Sequence, residues 1–108
     1  MSGREYLGEF EHVVLLSLAR LSGPAYGGSI HQQILDATGR DVSIPAVYVT
    51  LKRMERKSLV ASEVVEPEAG GRAIRNYRIL PAGEAALARS RRMLERLWEG
   101  PAVKEEAT

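Results

Sequence analysis

The chain has 108 residues, of which 44% are apolar and 27% are charged, and its formal net charge is +1. This length suits one small domain with a single hydrophobic core, and the lack of cysteine excludes disulfide bonds and thiolate metal sites. Residues 1–11 contain no long apolar run, and the apolar run at residues 13–18 is too short to cross a bilayer. We therefore expect a cytoplasmic protein that does not bind membranes.

The charges are unevenly distributed along the chain. Residues 1–44 carry three basic and five acidic side chains, residues 45–80 carry seven and four, and residues 81–108 carry five of each. The middle segment is therefore the one expected to contact nucleic-acid phosphates. Because the excess is small, we expect modest affinity per monomer and a need for pairing.

The first helix is predicted from about Glu9 to Leu21. Its apolar residues are too many for one stripe, which indicates burial on two sides. One side would serve the core of the domain and the other a partner surface, but a fully central core helix explains the pattern equally well. Ser22-Gly23-Pro24 ends this helix.

A second helix is predicted over residues 26–38, and Gly39 suits a left-handed residue at its end. Gly27 and Gly28 near its start reduce helix stability, so we expect them to allow the close approach of another backbone. His31 lacks partners at metal-ligand spacing, so a solvent-facing or capping role is expected for it.

A third helix is predicted to begin at Ser43, whose hydroxyl is suited to accept a backbone N–H of the first turn. Val47, Leu51 and Met54 recur at the i, i+4, i+7 spacing of a buried face. A helix with one apolar side and an opposite basic side fits the major groove of DNA, which predicts a recognition helix. The outward side consists of Pro45, Val49, Lys52 and Arg56, with Tyr48 and Arg53 on its flanks.

After the third helix the pattern changes to alternation. Residues 59–66 and 73–80 are predicted strands, joined by a hairpin tip that contains two glycines. Arg72, Arg75 and Arg78 lie on or just after that tip. Three helices followed by a basic two-stranded ribbon is the order of elements in a winged helix-turn-helix.

A last helix is predicted from Pro81 to about Glu99. Its wide apolar stripe needs a surface to lie against, and we favour a dimer interface, with packing on its own domain as the alternative. The residues predicted to form the dimer interface or an effector pocket are Phe10, Val14, Met93, Leu94, Leu97 and Trp98.

Several stretches are distinctive in their order and spacing. They are Ala25-Tyr26-Gly27, Gly39-Arg40-Asp41-Val42-Ser43, residues 47–60, Gly70-Gly71-Arg72 leading to Tyr77-Arg78-Ile79, and Pro81-Ala82-Gly83. Together they resemble the PadR family of bacterial transcriptional regulators over roughly residues 7–98. The single C-terminal helix resembles the shorter subfamily.

The resemblance implies an α+β, mainly α, fold: a winged helix-turn-helix with an additional C-terminal dimerisation helix. It also implies a homodimer, built from the first and last helices, that binds a palindromic operator in double-stranded DNA and usually represses. The expected divisions are an N-terminal arm at residues 1–8, the DNA-binding domain at 9–80, the dimerisation helix at 81–99 and a disordered tail at 100–108.

Three residues depart from the pattern of the family. Val49 stands where a polar or basic residue is common, so one DNA contact is expected to be missing. Ser58 replaces a common glycine, which strains a left-handed helix end. Leu80 replaces a typical threonine N-cap, so the last helix is expected to start less firmly.

The resemblance assigns the recognition-helix tyrosine of the family to Tyr48 and its wing cations to Arg72 and, less closely, Arg75. The alternatives are a half-buried core aromatic for Tyr48, a solvated face for the cations of the third helix, and a simple turn residue for Arg72. The predicted DNA-binding residues are Ser43, Pro45, Ala46, Tyr48, Val49, Lys52, Arg53, Arg56, Arg72 and Arg75.

Trp98 has two interpretations. If two last helices cross near their ends, paired indoles would wall a cavity for a small aromatic effector, as relatives with a similar short architecture do. The alternative is an aromatic anchor in the dimer core.

Two functions are therefore in competition. The first is a dimeric DNA-binding repressor, and the second is a winged-helix interaction module that docks on an acidic partner without binding DNA. An enzyme has almost no support, because the sequence shows no nucleophile–base pair, metal cluster or phosphate-binding glycine loop. No cofactor and no metal are expected.

Overall fold

The computed structural model describes residues 6–68 and 70–101. In this part of the chain four helices and one two-stranded antiparallel sheet follow each other, and none of these helices is long and apolar enough to span a membrane. Most of the predicted arm and tail, at residues 1–5 and 102–108, lies outside the described residues. The elements are α1 (Glu9–Arg20), α2 (Gly27–Thr38), α3 (Ile44–Arg56), β1 (Val60–Val65), β2 (Ile74–Ile79) and α4 (Pro81–Trp98).

The core lies between α1, α2 and α3. Val47, Leu51 and Met54 have no exposed area, so the predicted buried face of α3 is confirmed. A helix that buries one full stripe is held rigidly and presents its opposite side to solvent. The side chains that meet this face from α1 and α2 include Val14, Leu15, Leu18, Ile30 and Ile34.

The ribbon is attached to the helices through a short backbone bridge. The N–H of Ala25 donates to the Tyr77 carbonyl at 2.9 Å, and the N–H of Tyr77 donates to the Ala25 carbonyl at 2.7 Å. In the ribbon itself Val60 pairs with Ile79 at the base, and the buried Tyr77 side chain ties β2 to the core. The bridge and this buried ring hold the ribbon against the helices.

The helix ends follow the local sequence. The Ser43 hydroxyl accepts the backbone N–H of Ala46 at 3.1 Å, and Gly39 is left-handed with a φ of 76°, as predicted. Leu80 precedes α4 without a side-chain cap. Its N–H instead donates to the Leu59 carbonyl at 3.0 Å, which links the start of α4 to the start of the ribbon.

The expectation for the glycines of α2 was wrong in one respect, because they face side chains and not a backbone. A Cβ at Gly27 would lie 2.6 Å from Cε2 of Tyr48, and a Cβ at Gly28 would lie 2.7 Å from Cε2 of Tyr26. The close approach of two backbones occurs instead at Gly83, where α4 passes the segment that leads into β1.

Only the first half of α4 packs on the domain. Gly83, Ala86 and Ser90 are buried, and the Ser90 hydroxyl accepts the N–H of Leu7 at 3.4 Å. The apolar stripe continues beyond Ser90 with side chains that are largely exposed. Packing on its own domain therefore explains the first half of α4 and leaves the second half without a covering surface among the described residues.

Candidate nucleic-acid interface

The outward side of α3 is an exposed and positively charged face. Val49 is 57% exposed, and Lys52 and Arg56 beside it are exposed as well. Among the described residues, neither cation forms an ion pair with a carboxylate. The N-terminal end of the same helix contributes the exposed Ser43 and Pro45 and the half-buried Ala46.

The flank of α3 that faces α1 is held by a carboxylate. The Glu11 side chain is only 8% exposed, and its Oε2 lies 3.2 Å from Nζ of Lys57 and 3.7 Å from Nη1 of Arg53. Its Oε1 accepts the backbone N–H of Gly8 at 2.9 Å. Arg53, a predicted DNA ligand, is thus directed towards α1.

The charge state of Glu11 follows from these contacts. Burial by itself raises the pKa of this carboxyl, but the hydrogen bonds from Gly8 and Lys57 and the positive charges of Lys57 and Arg53 together outweigh burial. The net result is a pKa below the ordinary value of 4.5. Glu11 is therefore ionised at neutral pH.

The opposite flank of α3 is joined to the ribbon by a chain of hydrogen bonds. The Ser62 hydroxyl donates to Oε2 of Glu55 at 2.8 Å and accepts from Nη1 of Arg75 at 3.0 Å. This chain connects α3 to both strands. Arg75, which was predicted to contact DNA, already has a partner within the protomer although its side chain remains exposed.

Tyr48 lies between α2 and the ribbon. Its ring faces Gly27, and its centroid is 6.4 Å from that of Tyr77 with a tilt of 56° between the rings. The side chain is half-buried, which agrees with the interpretation of Tyr48 as an aromatic at the edge of the core. A contact between its hydroxyl and DNA stays a prediction.

The hairpin tip presents a cation on a glycine turn. Gly70 and Gly71 adopt φ values of 85° and 105°, which L side chains rarely adopt. Arg72 follows directly, is exposed, and has no hydrogen-bond or ion-pair partner in the part of the chain that the structure describes. The tip can therefore extend a guanidinium group towards a phosphate.

A second exposed surface lies between α1 and the second half of α4. Leu97 and Trp98 are 65% and 57% exposed, and Leu16 of α1 is 46% exposed. Leu16, Leu87, Leu94 and Trp98 line an open apolar groove of about 480 Å³ between the two helices. Exposed apolar side chains that are contiguous in this way are typical of interaction sites.

The structure corrects one residue of the predicted interface. Val14 has no exposed area and lies in the core, because it points about 160° away around the helix from Leu16. Phe10 is half-buried against the core, and the guanidinium carbon of Arg40 lies 5.7 Å from its ring centroid. Leu16, which the sequence pattern did not single out, takes the place of Val14 on the outer side of α1.

The titratable side chains of the described residues do not form a metal site. Within residues 6–68 and 70–101, no group of three or more His, Cys, Asp or Glu residues could hold a metal ion. The Nε2 atom of His31 lies 3.5 Å from Oδ1 of Asp41, so this histidine links α2 to the turn before α3.

Comparison with known proteins agrees with this geometry. Residues 14–89 match the model of the transcriptional regulator PadR-like family. The chain belongs to the PadR-like family. This match contains α2, α3 and the ribbon, and members of the family are DNA-binding regulators and not enzymes. The expected fold and the expected absence of an enzymatic role follow from this membership.

Individual relatives are similar over most of the chain. The transcriptional regulator Rv3488 of Mycobacterium tuberculosis is 46% identical over 65 residues, which are 60% of this chain and 59% of that protein. The chain thus aligns with less than two thirds of this relative. A PadR-like transcription factor from Bacteroides fragilis superposes with a TM-score of 0.73 at 27% identity, covering 83% of this chain and 84% of its own.

Two further structures extend the comparison. A PadR family regulator from Eggerthella lenta has a TM-score of 0.69 at 26% identity, covering 85% of this chain and 81% of its own. A winged-helix DNA-binding protein from STIV has the same TM-score at 13% identity, covering 86% of this chain and 95% of its own. The latter similarity shows the fold alone.

The sequence patterns did not indicate three residues that hold α3 in place, namely Glu11, Glu55 and Ser62. Glu55 and Ser62 show no periodic signal, because their contact depends on how the ribbon folds back. Glu11, however, falls on the same stripe as Val14, Leu15 and Leu18. A lone carboxylate on a buried stripe requires a cation from another element, and that signal could have identified it.

Proposed function

We propose that this PadR-family chain is a dimeric repressor that binds a palindromic operator through α3 and the ribbon. The observation that supports the proposal most directly is the exposed face of α3. Among the described residues, Lys52 and Arg56 have no carboxylate partner, while the opposite side of the helix is buried in the core. Rigidly held cations without internal partners are suited to phosphate binding. The proposed site of action is the cytoplasm.

The predicted residues divide into groups with different proposed roles. Ser43, Pro45 and Ala46 are at the end of α3 that enters the groove in helix-turn-helix docking. Val49 provides an apolar contact for a thymine methyl group. The proposed phosphate ligands are Tyr48, Lys52, Arg56 and Arg72, and the proposed supporting residues on the two flanks are Arg53 and Arg75.

Dimerisation is proposed to occur through α1 and α4. Two recognition helices can meet successive major grooves only when they are about 34 Å apart, and a fixed dimer interface sets this distance. The exposed Leu97, Trp98 and Leu16 supply the apolar surface that such an interface requires. Pairing also doubles the number of cations on DNA, which compensates for the small net charge of one protomer.

A regulatory ligand is proposed for the groove between α1 and α4. Trp98 lines it together with Leu87 and Leu94, so a planar aromatic compound could stack on the indole. Such a compound would act by favouring one dimer geometry over another. Quenching of Trp98 fluorescence by aromatic compounds, weakened in the groove variant Leu94→Ala, tests this part of the proposal.

Gel retardation with a DNA fragment from upstream of the protein's own gene tests the DNA-binding function. We expect the wild-type protein to retard the fragment, and Lys52→Gln combined with Arg56→Gln to weaken binding by about 1 kcal/mol per contact, or roughly a thousandfold for the four contacts of a dimer. Arg20→Gln combined with Arg92→Gln removes the same charge from α1 and α4 and serves as the control. No retardation of any duplex at low salt would contradict the proposal and would favour docking on an acidic protein.

A further inference from the structure

The recognition helix and its C-cap residue Lys57 carry four cations, which fall into two classes. Lys52 and Arg56 lie on the outward face and have no ion pair among the described residues. Arg53 and Lys57 lie on the flank next to α1, and both approach the same oxygen of Glu11, at 3.7 Å and 3.2 Å. Among the described residues, contact with Glu11 therefore distinguishes the second class from the first.

Glu11 is well placed to keep the second class away from DNA. It lies on α1, outside the helix-turn-helix pair, and its side chain is almost completely buried. Its other oxygen is held by the backbone N–H of Gly8 at 2.9 Å, so the carboxylate cannot rotate freely towards solvent. The ion pairs are less screened than surface pairs because one partner is buried.

We infer that Glu11 is a positioning residue for DNA binding: it holds Arg53 and Lys57 against α1, so that α3 presents Lys52 and Arg56 alone to the phosphates. This inference rests on the proposed DNA-binding function. By holding these two cations, Glu11 limits the number of phosphates that one protomer neutralises. Because phosphate contacts supply nearly all of the affinity for non-specific DNA, Glu11 lowers binding to non-specific sites relative to the operator.

The salt dependence of binding to a mixed-sequence DNA duplex measures the number of phosphate contacts directly. The slope of log K against log salt concentration changes by about 0.9 for every phosphate neutralised. We expect Glu11→Gln to steepen the slope by about 0.9 for each cation released per protomer, and to tighten binding at low salt. A role of Glu11 in stability alone would weaken binding without steepening the slope.

Glu84→Gln is the matched control. Glu84 is exposed in the first turn of α4 and has no ion pair among the described residues, so this variant makes the same change in net charge without releasing a cation. The slope of log K against log salt concentration for Glu84→Gln should equal that of the wild type. Equal steepening in both variants would overturn the inference, because net charge alone would then explain the effect.

Single substitutions in the wild-type background test the inference even if Glu11→Gln does not fold. Arg53→Gln should leave the slope unchanged, whereas Lys52→Gln should reduce its magnitude by about 0.9 per protomer. Equal reductions by Arg53→Gln and Lys52→Gln would show that Arg53 already contacts phosphates, which overturns the inference but retains the DNA-binding function. A wild-type protein that binds no duplex would overturn both.

Discussion

Ser58 ends α3 in a left-handed conformation, with a φ of 62°. Its N–H donates to the Glu55 carbonyl at 3.0 Å, and the N–H of Leu59 donates to the Met54 carbonyl at 3.0 Å. These are the two hydrogen bonds of a Schellman motif, in which glycine is usual at this position. A residue with a Cβ loses about 1–2 kcal/mol in this conformation, so Ser58 is strained, as the departure from the family pattern suggested.

Ser58→Gly is therefore expected to raise the free energy of unfolding by about 1 kcal/mol, after allowance for the greater flexibility of glycine in the unfolded chain. Urea denaturation measures this change. As a control, Ala85→Gly at an exposed position of α4 should lower stability by up to about 1 kcal/mol. A loss of stability in Ser58→Gly would contradict this explanation.

The ionised state of the Glu11 carboxylate depends on its hydrogen-bond and ion-pair partners. Without Lys57, Arg53 and the Gly8 N–H, burial would favour the protonated form. With them, its pKa is lowered in the folded protein from the ordinary value of 4.5. Its contribution to stability is therefore fully present above the ordinary value and is lost as the pH falls through the lower, folded-state pKa.

Glu11→Gln should lower the free energy of unfolding by about 1–3 kcal/mol at neutral pH, since charged hydrogen bonds are lost. The stability difference between wild type and variant should shrink in acid, where Glu11 of the wild type becomes protonated. Urea midpoints measured from pH 7 downwards test both statements, with Glu84→Gln as the control. A difference that stays constant across this pH range would rule out the ion pairs as its source.

The spacing of α2 and α3 depends on a glycine and a tyrosine. The Tyr48 ring faces Gly27 because that position has no Cβ, and it also lies beside Tyr77 of the ribbon. One aromatic ring of α3 thus contacts two other elements of the winged helix, α2 and the ribbon. Gly27, which was expected to admit another backbone, makes room for this ring instead.

Gly27→Ala is expected to displace the Tyr48 ring and to lower the free energy of unfolding by about 1–3 kcal/mol, as overpacking does. Gly28→Ala is the matched control. It lies one residue further along the same helix, and its new Cβ would meet only the exposed Tyr26 side chain, which can move away. Stability of Gly28→Ala should be unchanged or up to about 1 kcal/mol higher. Thermal unfolding of both variants would reveal the difference, and equal effects would argue against the role of Tyr48.

The end of α4 exposes large apolar side chains that the described residues of a single protomer do not cover. Gly83, Ala86 and Ser90 in its first half are buried, but Leu97 and Trp98 at its end are more than half exposed. Leaving such side chains in water forfeits about 1.5–3 kcal/mol for each large apolar residue. A second copy of the chain provides a symmetric surface that can cover them.

Leu97→Glu should therefore weaken dimerisation by about 2–3 kcal/mol, or roughly a hundredfold in the dissociation constant, because a charge would be buried without a partner. Light scattering after size-exclusion chromatography measures the mass in solution. Ala85→Glu introduces the same side chain on the first half of α4 and should leave the mass unchanged. A wild-type protein that is monomeric at all concentrations would refute the proposed interface.

Much of the fold could be predicted from the sequence because its signals are local. The spacing of Val47, Leu51 and Met54 defines the buried face of α3, Ser43 caps its start, and Gly39 ends α2 in a left-handed conformation. Each of these features depends on residues within one or two turns of each other. The outward positions of Lys52 and Arg56 follow from the same periodicity, since the opposite face is buried.

Only the tertiary structure decided which cations near α3 bind a partner inside the protomer. Glu11 and Lys57 are 46 residues apart, and no periodic pattern relates positions at that separation. Their contact exists because α1 packs against α3, and the packing of α1 in the core buries Val14 and leaves Leu16 exposed. Local sequence determined the helices and their faces, whereas the packing of one helix on another determined which cations are held internally and which are available to a partner.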